Sequence, residues 1–125
     1  MAKEKNLKKR VYIYALEVIK FVEKLPKDSV GQILGKQLLR SGTSVTSNII
    51  EAQSASSKKD FINFYNHSLK SANESKLWIA LLRDADKVDG KNAEDLLQET
   101  KEIANMIASS IITMKENKRD LRFEI

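Results

Sequence analysis

The chain has 125 residues, with 22 Lys and Arg against 17 Asp and Glu, a formal net charge of +5, one His and no Cys. That length suits a single domain, and an apolar share of 42% is too high for a chain that stays unfolded. Composition excludes disulfides, thiolate zinc sites, iron–sulfur ligation, cysteine nucleophiles and poly-histidine metal sites.

The first ten residues carry Lys3, Lys5, Lys8, Lys9 and Arg10 against Glu4, a balance of +4. The remaining 17 basic and 16 acidic groups leave only +1. The sequence therefore predicts a basic N-terminal arm over about 1–10 on a nearly neutral body. Such an arm can engage nucleic acid, or it can be a solvated terminus. The apolar stretch after it imitates a signal peptide. However, Glu17, Lys20, Glu23 and Lys24 interrupt it, and no small-residue cleavage site follows. No window approaches the roughly 20 apolar residues of a membrane span. The expectation is a cytoplasmic protein with no membrane contact.

Apolar residues recur at three- and four-residue spacing nearly throughout, which predicts helices. A first helix spans about Leu7–Leu25. Val11, Ala15, Val18, Val22 and Leu25 form its stripe, widened by Tyr12, Leu16 and Ile19, and Pro26 ends it. A second follows a cap at Asp28 or Ser29 and carries Val30, Ile33, Leu34, Leu38, Val45, Ile49 and Ala52. Its SGTSVTSN centre is poor helix sequence. The stripe keeps its phase across Gly42, which favours one continuous helix to Ala52 over a break. The small-residue pair Gly31 and Gly35 suggests close packing.

A third helix is expected over about Lys58–Val88, with Phe61, Tyr65, Leu69, Ala72, Leu77, Leu81 and Leu82 on its apolar side. Gly90 is placed as a left-handed stop after it. A fourth starts near Ala93 with Leu96, Leu97, Ile103, Ala104, Ile107, Ile111 and Met114. A short tail over about 118–125 follows. Four long helices with short connections predict an all-α, antiparallel up-down four-helix bundle over residues 1–125. The alternative is a two- or three-helix protomer completed by a partner.

Arg40, Ser44, Asn48 and Glu51 share one stripe of the second helix, and His67, Ser71, Glu74 and Trp78 one stripe of the third. Folding back between them brings Glu74 near the level of Lys36 and Arg40. A buried or half-buried pair there would fix register. These residues read first as a structural polar network or a subunit contact, since buried polar groups are normally hydrogen-bonded, and alternatively as a polar site for a ligand or nucleic acid. His67 has no nucleophile or orienting partner in sequence, so a catalytic role with Glu74 is the weakest reading. Trp78 reads as core or as an interface anchor. No phosphate loop or metal-loop spacing appears, so no catalytic residue, metal or cofactor is assigned.

The stretch LLRSGTSVTSNIIEA, followed by SSKKDFINFYNHSLKSANESKLWIALL, resembles the four-helix bundle proteins encoded in intervening sequences of bacterial 23S ribosomal RNA genes. The family's Arg, Ser-Val, Asn-Ile-x-Glu pattern is matched by Arg40, Ser44, Val45, Asn48, Ile49 and Glu51. Lys59, Asp60 and Phe61 fit its next element loosely, and Ser71 and Glu74 match its Ser-x-x-Glu. Ala52 stands where the family has Gly, and Lys76 where it has a second acid. The resemblance implies a homo-oligomer, expected as a ring-shaped homopentamer. It also implies a relation to the accessory protein of diversity-generating retroelements, a basic pentameric barrel associated with nucleic acid.

The expected function is a non-enzymatic oligomeric scaffold that binds RNA or DNA through Lys3, Lys5, Lys8, Lys9, Arg10, Lys58 and Lys59. The alternative is a protein–protein scaffold with no nucleic-acid role.

Overall fold

The computed structural model describes residues 3–116. Among them are four long helices and no strand: α1 (Leu7–Glu23), α2 (Ser29–Glu51), α3 (Lys58–Asp84) and α4 (Gly90–Glu116), with a 3₁₀ turn at Ala52–Ser54. Sequential helices pack side by side and α1 meets α4 more sparingly, which closes an up-down four-helix bundle. The start of α1, the α2–α3 turn and the end of α4 lie at one end. The α1–α2 and α3–α4 turns lie at the other. The C-terminal tail expected over 118–125 lies outside the described residues.

Each helix start has a local cause. Asn6 caps α1 by accepting from Lys9 N at 3.1 Å, Asp28 caps α2 from Gly31 N at 2.8 Å, and Ser57 caps α3 from Asp60 N at 3.0 Å. Of the two expected caps, Asp28 and Ser29, Asp28 is the one used, and α2 runs unbroken through Gly42. α3 stops at Asp84, earlier than expected. Asp86 takes the left-handed conformation, with φ 58°. Lys87 N donates to Leu82 O and Asp86 N to Arg83 O, the pattern of a Schellman stop. Gly90 is instead the first residue of α4. Asp performs the reversal because its short polar side chain tolerates positive φ.

α2 lies close to both neighbours because its contact residues are small. A Cβ on Gly42 would stand 2.9 Å from Val18 Cγ1, and one on Gly35 2.9 Å from Leu25 Cδ1. Thr46 Oγ1 donates to Val11 O across the same seam. On the α3 side, Ser41 Oγ meets Ser75 Oγ at 2.8 Å, and Ser68 Oγ donates to Val45 O at 2.7 Å. Mid-bundle, Tyr14 OH lies 2.7 Å from Thr100 Oγ1. Thr100 commits its hydrogen to Leu96 O, so Tyr14 is the donor. The Ser75 hydroxyl also acts on Tyr14. Thus Tyr14, Ser41, Ser75 and Thr100, all buried, place one hydroxyl from each helix in a single layer. Burial pushes the Tyr14 phenol up to about 12, so it stays protonated.

The core is narrower than the apolar stripes suggest. α1 buries Val11, Tyr14 and Val18, while Tyr12, Leu16 and Ile19 face outward. Val30 and Ile33 of α2 and Leu77 and Leu81 of α3 are also exposed. The α4 stripe is interior as expected, with Met114 partly buried against it.

The tight α1–α2 contact makes a prediction. Val18 is fully buried and β-branched, so it cannot yield to a larger neighbour. Gly42→Leu should therefore destabilise the fold by about 2 kcal/mol through overpacking. Adding Val18→Ala should recover part of that loss, as measured by urea unfolding.

Candidate nucleic-acid interface and polar seam

The expected basic residues converge, but unequally. Asn6 ends the extended lead-in, so Lys8, Lys9 and Arg10 belong to α1 and the arm is shorter than 1–10. Lys5, Lys8 and Lys9 are exposed on the opening of α1. Lys58 and Lys59 open α3, with Lys59 exposed and Lys58 half-buried. Both helices begin at the same end of the bundle, where α4 brings Lys115 in its last turn.

Lysines in a first turn oppose the helix macrodipole, each at a small cost. α1 has no acidic residue there, and α3 has only Asp60. Two helix starts thus keep cations against local preference at one end. The opposite end mixes Lys24, Lys27 and Lys87 with Asp28, Asp84, Asp86, Asp89, Glu94 and Asp95. There Arg83 pairs with Asp84 and Glu94, Lys87 with Asp28, and Lys91 with Asp95.

Arg10 does not join the open surface. Its guanidinium is buried and forks onto α4: Nε donates to Glu99 Oε2 at 2.9 Å and Nη2 to Glu99 Oε1 at 2.7 Å. The same Nη2 reaches Glu102 Oε1 at 2.8 Å. Lys3 Nζ pairs with Glu102 as well, at 2.7 Å. The hydrogen bonds that Arg10 donates to Glu99, then to Glu102, raise its pKa further and keep it charged. Hydrogen bonds from Lys3, Arg10 and Gln98 hold the Glu102 carboxyl down to about 2. Lys3 and Arg10 therefore clamp α1 to α4, and a phosphate would have to displace Glu102 to reach Lys3.

The polar stripes of α2 and α3 form a ladder along their seam. Arg40 Nη2 donates to Glu74 Oε2 at 2.7 Å, and Trp78 Nε1 donates to the same oxygen at 3.1 Å. Ser71 Oγ donates to Ser44 Oγ at 3.0 Å, and Asn48 Nδ2 to Ser44 O at 2.9 Å. The expected Arg40–Glu74 register holds, but the pair lies on the surface, with 65% of the Arg40 side chain exposed. It contributes less to stability than a buried pair would. Glu51 and His67 are exposed at the edges of the ladder.

A cleft of about 610 Å³ lies between the end of α1 and the start of α4, far from the basic end. Glu17, Lys20, Phe21, Lys24, Asp95 and Leu96 are among its lining. Burial raises the Glu17 carboxyl. No sequence signal marked this cleft, because α1 and α4 are remote in sequence. Among the described residues no group of three or more His, Asp or Glu is placed to hold a metal ion. No helix among them is long and apolar enough to cross a membrane.

The model of the 23S rRNA-intervening sequence protein family matches residues 3–109. The chain belongs to that family. A solved structure, described as a protein of unknown function from the S23 ribosomal protein family of Bacteroides thetaiotaomicron, is similar at 33% identity with a TM-score of 0.80. The match covers 84% of this chain and 97% of that one. No curated protein matches. The intervening-sequence family description names no catalytic activity, and the described site offers a cationic end and a polar seam.

The clamp sets an acid response. A carboxyl depressed to about 2 from an ordinary 4.5 adds stability that is complete above the ordinary value and lost as pH falls toward 2. Glu102→Gln should lower the melting temperature at pH 7 and flatten its decline between those two pH values. Thermal unfolding across that range checks this.

Proposed function

We propose that this member of the intervening-sequence protein family is a non-enzymatic, self-assembling scaffold that holds nucleic acid at one end of its bundle. The observation that carries this reading is the convergence of Lys5, Lys8 and Lys9 with Lys58 and Lys59 at the openings of α1 and α3. The positive ends of both helix dipoles point the same way. Exposed lysines on flexible stems suit phosphate contacts that carry no sequence preference. Self-assembly would set several such ends side by side and raise the local potential.

The exposed apolar residues of α1, α2 and α3 favour a second reading, a protein–protein scaffold without nucleic acid. The two readings separate on the response to salt.

Binding of a mixed-sequence single-stranded RNA should weaken steeply as salt rises. Lys5, Lys8, Lys9 and Lys59 replaced together by Gln should reduce the log–log salt slope by about 3 per subunit, at roughly 0.7 for each lost phosphate contact. Replacing Lys24 and Lys27 should leave the slope unchanged. Fluorescence anisotropy at several salt concentrations checks this, and equal slopes for both variants would sink the reading.

A further inference from the structure

We propose that the cleft between the end of α1 and the start of α4 binds a small zwitterion with an apolar body, about the size of a dipeptide. The cleft lies at the opposite end of the bundle from Lys5, Lys8, Lys9 and Lys59, so it takes no part in the nucleic-acid contact proposed above. Its origin is the uneven joining of α1 to α4. Arg10 forks onto Glu99 and Glu102, and Tyr14 OH donates to Thr100 Oγ1. Both ties leave from the first half of α1. Beyond them, among the described residues, no hydrogen bond or ion pair crosses from residues 17–26 to residues 86–96. The two helices are tied at one end and parted at the other, and the cleft of about 610 Å³ occupies the gap. Sites for small molecules span roughly 300–1,000 Å³, with an apolar lining and a few converging polar groups.

The lining combines apolar groups with charges of opposite sign on opposite sides. Leu96 is buried, and Phe21 and Val88 are half-buried, so part of the surface is apolar. On α1, Glu17, Lys20 and Lys24 follow one another at spacings of three and four, which sets them on one row. α4 brings Asn92 and Asp95 from the other side, and the α3–α4 turn brings Asp86 and Asp89. The ammonium groups of Lys20 and Lys24 have no hydrogen-bond or ion-pair partner among the described residues. The Asp86 carboxylate and the Asn92 amide have none either. Cations on one wall and an anion on the other therefore stand unpaired, and they do not meet across the cleft. A molecule that carries both charges can satisfy both walls at once.

The charges also decide against other small molecules. Glu17, Asp86, Asp89 and Asp95 oppose a nucleotide or any polyanion, and Lys20 and Lys24 oppose a polyamine. Two lining charges are already paired away from the cleft, Lys87 with Asp28 and Asp95 with Lys91. The rest nearly balance, which suits a ligand without net charge. A free amino acid holds both charges on one carbon, whereas a dipeptide sets them at the ends of about 7 Å of extended chain. In the cleft, the ligand carboxylate accepts from Lys20 and Lys24 and its ammonium donates to Asp86 and Asp89. Its apolar side chains cover Phe21 and Leu96, removing that surface from water.

The test is isothermal titration calorimetry on the full chain without nucleic acid, with three compounds: leucyl-phenylalanine, its N-acetyl form and its C-terminal amide. The unmodified dipeptide should bind, and each modified form, having lost one charge, should bind at least about tenfold more weakly. Lys20→Gln with Lys24→Gln should weaken the dipeptide about tenfold and abolish its advantage over the amide. Asp86→Asn with Asp89→Asn should abolish its advantage over the N-acetyl form. All four side chains are exposed, so helical circular dichroism should be unchanged. If the aspartate pair fails to fold, the lysine pair and the three compounds on wild type still decide the matter. No binding of the dipeptide at millimolar concentration, or equal affinity for all three compounds, would overturn the proposal. So would dipeptide binding that neither double variant alters, since the site would then lie elsewhere.

Discussion

The close approach of α2 to both its neighbours is the constraint from which the rest of the molecule follows. Gly35 and Gly42 admit the side chains of α1, and Ser41 and Ser68 admit the backbone and hydroxyls of the α2–α3 seam. The interior packs Leu38, Ile49, Ile79, Leu82, Ile103 and Ile107 around the hydroxyl layer, in which each hydroxyl has a partner. A buried hydroxyl without its partner costs about 1–3 kcal/mol, so the Tyr14, Ser41, Ser75 and Thr100 layer penalises any shift in register. Side chains of the same size are also exposed, at Tyr12, Leu16 and Ile19 of α1, Val30 and Ile33 of α2, and Leu77 and Leu81 of α3.

The same bundle redistributes the charge. An excess of +4 in the first ten residues looks like a mobile basic arm when it is read along the chain. In three dimensions Lys3 and Arg10 are spent on Glu99 and Glu102, and Lys59 arrives from another helix to join Lys5, Lys8 and Lys9. The basic feature becomes an end of a rigid body. A fixed cluster holds a constant geometry toward a polyanion and is repeated by any symmetric assembly, whereas a flexible arm has to be ordered on binding.

Helix number and the continuity of α2 through Gly42 were legible in sequence, and the α2 cap and the level of Glu74 were each narrowed to two residues, because each depends on local spacing and short-range chemistry. The hydroxyl layer was not, since Tyr14, Ser41, Ser75 and Thr100 become neighbours only when four separate helices align. Arg10 was misread for the same reason: its carboxylates lie about ninety positions away. Tyr12, Leu16, Ile19, Leu77 and Leu81 were placed on apolar helix sides, but periodicity reports that a helix face is apolar, not what covers it. The Asp86 reversal was missed because Gly90 offered the commoner left-handed residue nearby.

The central claim is that one end of the bundle meets nucleic acid. Lysine acylation, read by mass spectrometry with and without bound single-stranded RNA, tests it most directly. The account predicts protection of Lys5, Lys8, Lys9 and Lys59, with Lys24, Lys27 and Lys91 modified as before. Uniform modification, or protection centred on the α1–α2 and α3–α4 turns, would contradict it.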